Sequence, residues 1–410
     1  MADVTVNASV AGGTELTYGD GRLTATKTED IIYAFGTDTA AGNTQTFYVK
    51  SADGGATWGS RVDIIASTAG AEVHISIWAD WWTPGISTTV IHIALMRADN
   101  DDVQHFTLET ATDTLAGPNT IFAGVTQTTA VFHSISVTKS RGGNLYCAFD
   151  IDGGTETGFY RSTDGSTWAA RDNSINEGAA DIYHLFPGGD ADNQDIWAAF
   201  WDTSAEEISL KVHDDSANTW AETSIATTMN DAAATSVNSQ MAGAIRHSDN
   251  HLILVAWNDF DLTTSDLMCW DINGAASITA KTNVVTNSDD CIGAAVLIDK
   301  NNDAIYVAYM GKSDGSQTAG TSVGVYYKKS ADGAGTWGSE TTIAETLGDY
   351  SAISLDMGGL NTRVLPIWFD DANIALQTNT VNSVKIVLAI PVRGELFDRG
   401  QSSFVGSMMR

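Results

Sequence analysis

The stretch that decides the fold is Ile31-Ile32-Tyr33-Ala34-Phe35-Gly36-Thr37-Asp38, an apolar run that ends in an aromatic and then an aspartate. It recurs as Ile91–Asp99 (IHIALMRAD), Leu145–Asp152 (LYCAFDID), Ile196–Thr203 (IWAAFWDT), Leu254–Asp259 (LVAWND), Ile305–Asp314 (IYVAYMGKSD) and Val364–Asp371 (VLPIWFDD). Aligned on Ala34, Ala94, Ala148, Ala199, Ala256, Ala308 and Ile367, the copies are 60, 54, 51, 57, 52 and 59 residues apart. A period near 55 residues holds four short strands and their turns, and fixed-period self-similarity of that size is the signature of a propeller blade. The composition agrees. Thr, Val, Ile and aromatics alternate with small polar residues, glycine is plentiful (38) and proline scarce (5), a β pattern with turn signals throughout.

A second motif keeps the same beat. SADGGATW ends at Trp58, STDGSTW at Trp168, HDDSANTW at Trp220 and SADGAGTW at Trp337; the gaps of 110, 52 and 117 residues are two periods, one and two. The first copy holds Ser51, Asp53, Gly55, Thr57 and Trp58. The copy at 330–337 keeps Ser330, Asp332, Thr336 and Trp337 with Ala334 at the glycine position. The third-unit copy is one residue shorter, with Asp164 and Trp168, and the fourth-unit copy keeps Asp215, Thr219 and Trp220. These residues suit a hairpin. An aspartate accepts N–H groups of its own turn, glycine supplies positive φ, and tryptophan covers the hairpin base.

The motif resembles the Asp-box, or bacterial neuraminidase repeat, of sialidases and related propellers. With seven copies of the repeat, we expect an all-β chain, a seven-bladed β-propeller of four-stranded antiparallel blades with Asp-box hairpins, the propeller type being what the resemblance implies. We expect it to span residues 1–390 with a C-terminal arm at 391–410. Either Val4–Val10 or Val384–Ile390 would supply the strand that closes the ring. The Asp-box hairpins join strands three and four on one face. The loops between strands two and three, and between blades, lie on the opposite face, where the resemblance places ligands.

Aspartates crowd that loop face. Asp38, Asp99, Asp152, Asp202, Asp259, Asp314 and Asp370 follow the aromatic runs, and Glu177, Asp181, Asp231, Asp289, Asp290 and Asp349 fall in the blade-to-blade loops. They are turn residues that keep an acidic chain soluble, or a polar platform for sugar hydroxyls or for Ca²⁺ or another divalent cation held by oxygen ligands. No EF-hand spacing is present. His74, His133 and His184 open three inner strands (VHISIW, FHSISV, YHLFPG). At one shared position they would cap their strands, touch a polar ligand or hold a transition metal. Trp78, Trp81 and Trp82 cluster where an inner strand ends and read as packing or a protein contact.

Charge excludes several classes. Acidic residues number 51 against 21 basic ones, a net charge of −30, which argues against nucleic acid and anionic membranes as partners. Three separated cysteines make neither a disulfide framework nor a zinc motif. The N-terminus lacks a charged, apolar signal pattern, so cytoplasmic synthesis is expected. A sialidase needs three arginines converging on a carboxylate. Of the eleven here, Arg61, Arg161 and Arg171 flank motifs, Arg393, Arg399 and Arg410 lie in the tail, and Arg22 is near the N-terminus. The sequence therefore reads as a non-catalytic recognition or structural subunit. By composition it resembles a bacteriophage virion component (tail fibre, spike or capsid decoration) that contacts host-surface glycan or another virion protein in an oligomeric assembly. In the tail, Leu396, Phe397 and Phe404 are candidate docking anchors. The alternative is a glycoside hydrolase, whose two carboxylates would flank a cleft.

Overall fold

The structure is a computed structural model. It describes residues 4–7, 20–38, 43–69, 73–97, 102–124, 134–151, 156–177, 182–189, 194–202, 204–229, 241–258, 265–288, 292–314, 323–348, 350–358, 363–364, 366–370, 375–378 and 384–385. The arm at 391–410, with Leu396, Phe397 and Phe404, lies outside the described residues.

The chain is an all-β propeller of antiparallel sheets. Six of them are four-stranded blades, not seven as the sequence suggested. In chain order, blade 1 runs from Thr24 to Ala69, blade 2 from Val73 to Ala123, blade 3 from Ser134 to Ala170 and blade 4 from Ile182 to Thr227. Blade 5 runs from Ile292 to Gly348, and blade 6 combines Tyr350–Ser354, Ile367–Asp370 and Ala375–Thr378 with Val4–Asn7. The repeat between blades 4 and 5 builds a five-stranded sheet instead. There the outer edge is broken. Ile278–Ala280 and Val285–Ser288 both pair with Ser265–Ile272, one after the other, across the interruption at Lys281–Val284. Equal spacing of the repeats implied equal strand counts, and the break in one outer strand defeats that inference.

Ring closure falls to the N-terminal strand. Val4 pairs with Thr378 and Thr5 with Gln377, so blade 6 is stitched from both parts of the chain. Val384–Lys385 pairs instead with Arg363–Val364 as a separate two-stranded sheet. Fastening first and last segments in one sheet removes a free edge.

Burial follows position in the blade. The inner strand Ile182–Pro187 is buried at every residue, whereas the outer strand Thr219–Thr227 has no buried residue. Each sheet packs its two apolar faces against its neighbours, which is why the aromatic runs lack strict alternation. Tyr33, Trp78, Tyr146, Trp201, Trp257 and Tyr309 are among the large side chains removed from solvent.

Candidate functional site

Inner strands of a ring have an exposed edge facing the axis. Serine hydroxyls cover that edge from blade to blade. Ser76 Oγ accepts the Val137 N–H (3.0 Å), Ser136 Oγ the Leu185 N–H (2.9 Å) and Ser354 Oγ the Leu23 N–H (3.0 Å). Within this layer the turn Asp20-Gly21-Arg22 crosses the axis, with Gly21 at φ +69. The Asp20 carboxylate accepts from Ser76 Oγ (2.7 Å) and Ser136 Oγ (2.8 Å), and Arg22 Nη1 stands 3.0 Å from it. Arg22 Nη2 donates to the Leu185 carbonyl (2.7 Å) and Nη1 to that of Val137 (3.2 Å). The guanidinium lies between the Trp78 and Phe186 rings, at 5.0 and 4.6 Å from their centroids. Burial pushes the Asp20 carboxyl up and Arg22 opposes the push. Among the described residues, the arginine found at the axis is thus committed to protein partners.

The turn end of the axis is closed separately. After the inner strand of blade 2, Asp80-Trp81-Trp82 forms a 3-10 turn whose residues are all buried. Trp82 Nε1 donates to Asp356 Oδ1 of blade 6's inner connection (2.6 Å), His247 Nε2 donates to the Trp82 carbonyl (3.1 Å), and Lys300 Nζ donates to the Trp81 carbonyl. Trp78 Nε1 donates to Thr83 Oγ1 (2.8 Å). The tryptophan cluster read from sequence is therefore a bolt that joins blade 2 to the far side of the ring. Beside the ion pair lies a cavity bounded by Arg22, His184, Gly243, Ala295, Leu355 and Met357.

The histidines do not share one position. His184 pairs with Ala199 on the next strand, the level of Ser76 opposite Ala94, whereas His74 pairs with Met96. His74 therefore sits two residues upstream of the level of His184. His133 lies outside the described residues. Burial, and then Arg22, hold His184 well below the usual imidazole range, so it is neutral.

The loop-face aspartates are partly visible. Asp202 Oδ1 accepts from Ser204 Oγ (2.8 Å) and the Ala205 N–H (2.9 Å), and Asp314 is exposed and 3.3 Å from Lys312 Nζ. Both are turn residues here. Asp38 and Asp370 end their strands, and Asp99, Asp152 and Asp259 lie outside the described residues. Among the described residues no group of three His, Cys, Asp or Glu could hold a metal ion.

The opposite face shows the Ser–Asp turns in detail. Ser51 Oγ donates to Asp53 Oδ1 (2.8 Å) and accepts the Gly55 N–H (2.8 Å), while Asp53 accepts the Thr57 N–H (2.8 Å) and hydroxyl (2.6 Å). Ser330, Asp332, Ala334 and Thr336 repeat this set at 2.7, 2.9, 2.9 and 2.7 Å. The Thr336 hydroxyl and N–H hold the Asp332 carboxyl down to about 2. Asp164 accepts from the Ser166 and Thr167 N–H groups (2.8 and 2.7 Å). The fourth copy corrects the sequence reading. Asp214, not Asp215, accepts from its own turn, through Ser216 Oγ (2.7 Å) and the Ala217 N–H (2.8 Å). Asp215 turns toward blade 3, where Arg161 and Arg171 hold it at 2.8 and 3.1 Å. Trp220 and Trp337 also fasten neighbouring sheets, donating to the carbonyls of Asp172 (2.9 Å) and Thr282 (2.7 Å). Trp58 and Trp168 pack against the core.

Between blades 2 and 3 the same face carries a buried relay. His92 Nε2 is 3.0 Å from Asp80 Oδ1, His92 Nδ1 is 3.1 Å from His105 Nε2, and His105 Nδ1 is 3.0 Å from the Gly165 carbonyl. That carbonyl only accepts, so His105 Nδ1 carries a proton; the Asp80 carboxylate likewise draws one onto His92 Nε2. The contact between the rings gains a proton only if one of them is doubly protonated. Burial opposes that charge, pulling His105 down to about 3 and His92 below its usual value. Burial pushes Asp80 up, but His92 and Lys139 outweigh it and hold the carboxyl at about 2. The two outer contacts, to Asp80 and to the Gly165 carbonyl, hold the stacked rings in place, so the relay braces blade 2 against blade 3.

No protein-family model matches the chain, and no curated protein does either. Solved structures do. An ulvan lyase of polysaccharide lyase family PL25, bound to -[GlcA(1-4)Rha3S]-, aligns with a TM-score of 0.56 and 10% identity, over 94% of this chain and 95% of that one. The Hadza microbial sialidase Hz136 aligns with a TM-score of 0.47 at 10% identity over 89% and 65%. The NanB sialidase from Streptococcus pneumoniae aligns at 0.44 and 11% over 94% and 70%. At such identities the lyase match establishes the fold alone, a β-propeller spanning nearly the whole of both chains.

Proposed function

We propose that the chain is a non-catalytic recognition subunit of the Asp-box propeller type, which contacts a glycan through its loop face. The observation that carries this reading is the ion pair at the axis, whose charges are already engaged. The position where a deep central pocket would offer its charged groups is occupied by Asp20 and Arg22, paired with each other and with the backbone. A propeller stoppered in this way keeps its loop tips for contact. The match to a lyase bound to a saccharide supports glycan as the partner class. The net charge of −30 favours uncharged glycans over acidic ones.

We further propose that the subunit belongs to a bacteriophage particle, as a tail fibre, spike or capsid decoration, with host-surface glycan or another virion protein as partner. Acidic, lysine-poor, Thr/Ser/Gly-rich β composition supports this. The test is incubation of the full chain with an immobilised panel of bacterial surface glycans, followed by mass analysis of what is recovered. Retention of intact glycans is expected. Shortened products, or products with unsaturated ends, would establish an enzyme and overturn the reading.

A further inference from the structure

The groove between blades 2 and 3, on the turn face and away from the loop face, carries three side chains, Lys139, Glu109 and Asn119, that are each anchored within the protein and keep hydrogen-bonding capacity to spare. It has a volume of about 470 Å³ and opens to solvent. His92, Thr107, Glu109, Asn119, Lys139 and Asp164 line it. Lys139 Nζ is held by Asp80 Oδ1 (2.6 Å), which uses one of its three N–H donors. Glu109 is held through Oε1, which accepts from Thr89 Oγ1 (2.6 Å) and the Ala111 N–H (3.0 Å). Asn119 is held through Nδ2, which donates to the Gly165 carbonyl (3.1 Å). Among the described residues neither Glu109 Oε2 nor Asn119 Oδ1 has a partner of its own.

The anchors matter because a polar group held in place loses little freedom on binding. The relay beneath sets the floor: Asp80, at 1% exposure, fixes both Lys139 and His92. The remaining atoms form a mixed set, an ammonium donor beside carboxylate and amide acceptors. Val90 and Leu145 add apolar surface. A hydroxyl both donates and accepts, so several hydroxyls on one rigid ring would satisfy such a set. Glu109 and Asp164 disfavour anions, and Lys139 disfavours cations.

We propose that this groove is a saccharide site for an uncharged pyranoside, distinct from the glycan contact on the loop face. Its test uses the full chain, isotope-labelled, titrated with methyl glycosides of glucose, galactose, mannose, rhamnose and N-acetylglucosamine, with glucuronic acid as the anionic control. At least one neutral glycoside is expected to shift the backbone resonances of residues 90–92, 107–109, 119, 139 and 163–166. Asn119→Ala, which also gives up the bond to the Gly165 carbonyl, and Glu109→Gln, which keeps an oxygen for Thr89 and Ala111, are expected to weaken that binding at least tenfold, Glu109→Gln with the melting temperature unchanged. Shifts confined to other regions, no shift with any of the five, equal response to glucuronic acid, or wild-type affinity in both variants would each overturn the proposal. Loss of this site would leave the loop-face reading intact, since glycan capture there does not pass through these residues.

Discussion

Replacing Arg22 by methionine keeps an unbranched chain between the Trp78 and Phe186 rings and deletes the charge. Asp20, whose side chain has no exposed surface, then keeps the Ser76 and Ser136 hydroxyls but loses the guanidinium 3.0 Å away. The Leu185 and Val137 carbonyls lose their donor as well. Removing one partner of a buried ion pair costs about 3–5 kcal/mol, because the other charge is stranded. Unfolding entropy of about 2.1 cal/mol/K per residue over 410 residues amounts to about 0.86 kcal/mol/K. Arg22→Met should therefore lower the melting temperature by about 3–6 °C in a calorimetric scan. The double variant Asp20→Asn, Arg22→Met removes both charges while its carboxamide can still meet the serine hydroxyls. It should melt nearer the wild type than Arg22→Met does, leaving a coupling of about 2 kcal/mol or more. A single variant within about 1 °C of wild type, or a double variant whose loss is the sum of the two singles, would refute the stopper.

Acid should act through Asp80. Its carboxyl is held near 2 in the fold against 3.8 unfolded, so its contribution is present above pH 3.8 and is lost as pH falls toward 2. That contribution is on the order of 2 kcal/mol, and Asp80→Asn should flatten the fall in stability across this window in urea titrations at successive pH values. Trp82→Phe deletes the charge-assisted bond to Asp356 (2.6 Å) and should cost about 1.5–3 kcal/mol in the same urea assay. Backbone strain gives different results at two matched turns. Gly54→Ala forces a Cβ onto φ +71 and should destabilise by about 1–2 kcal/mol. Ala334→Gly relieves φ +65 but gives up a buried methyl worth about 0.8 kcal/mol, and should lie within about 1 kcal/mol of wild type.

What could be read from the sequence was whatever is settled over short distances. The Ser51–Trp58 turn closes almost all its bonds within four residues, so its residue types announce its geometry. The repeat period was legible because each unit must hold enough chain for a blade. Strand number per sheet was not, since it depended on whether Ile278–Ala280 continued into Val285–Ser288. In Asp214-Asp215 two adjacent carboxylates were equivalent until Arg161 and Arg171, from another blade, claimed the second. Arg22 was passed over because, Asp20 apart, its hydrogen-bond partners lie 114 to 163 residues away in the chain. The histidines misled for a related reason. Similar dipeptides opened two strands whose registers differ by two residues. The Asp80–His92–His105 relay had no sequence signal beyond two histidines on paired strands, and it took the closure of blade 2 on blade 3 to bring Gly165 under it.

The central claim is that the charged groups at the axis are held by protein partners and unavailable to a substrate. A crystal structure of the full chain soaked in a neutral glycan tests it most directly. The account requires Arg22 Nη1 within hydrogen-bonding distance of Asp20, Trp82 bonded to Asp356, and no glycan density between them. An open, solvent-filled axis with the Arg22 guanidinium turned onto a bound sugar would contradict it.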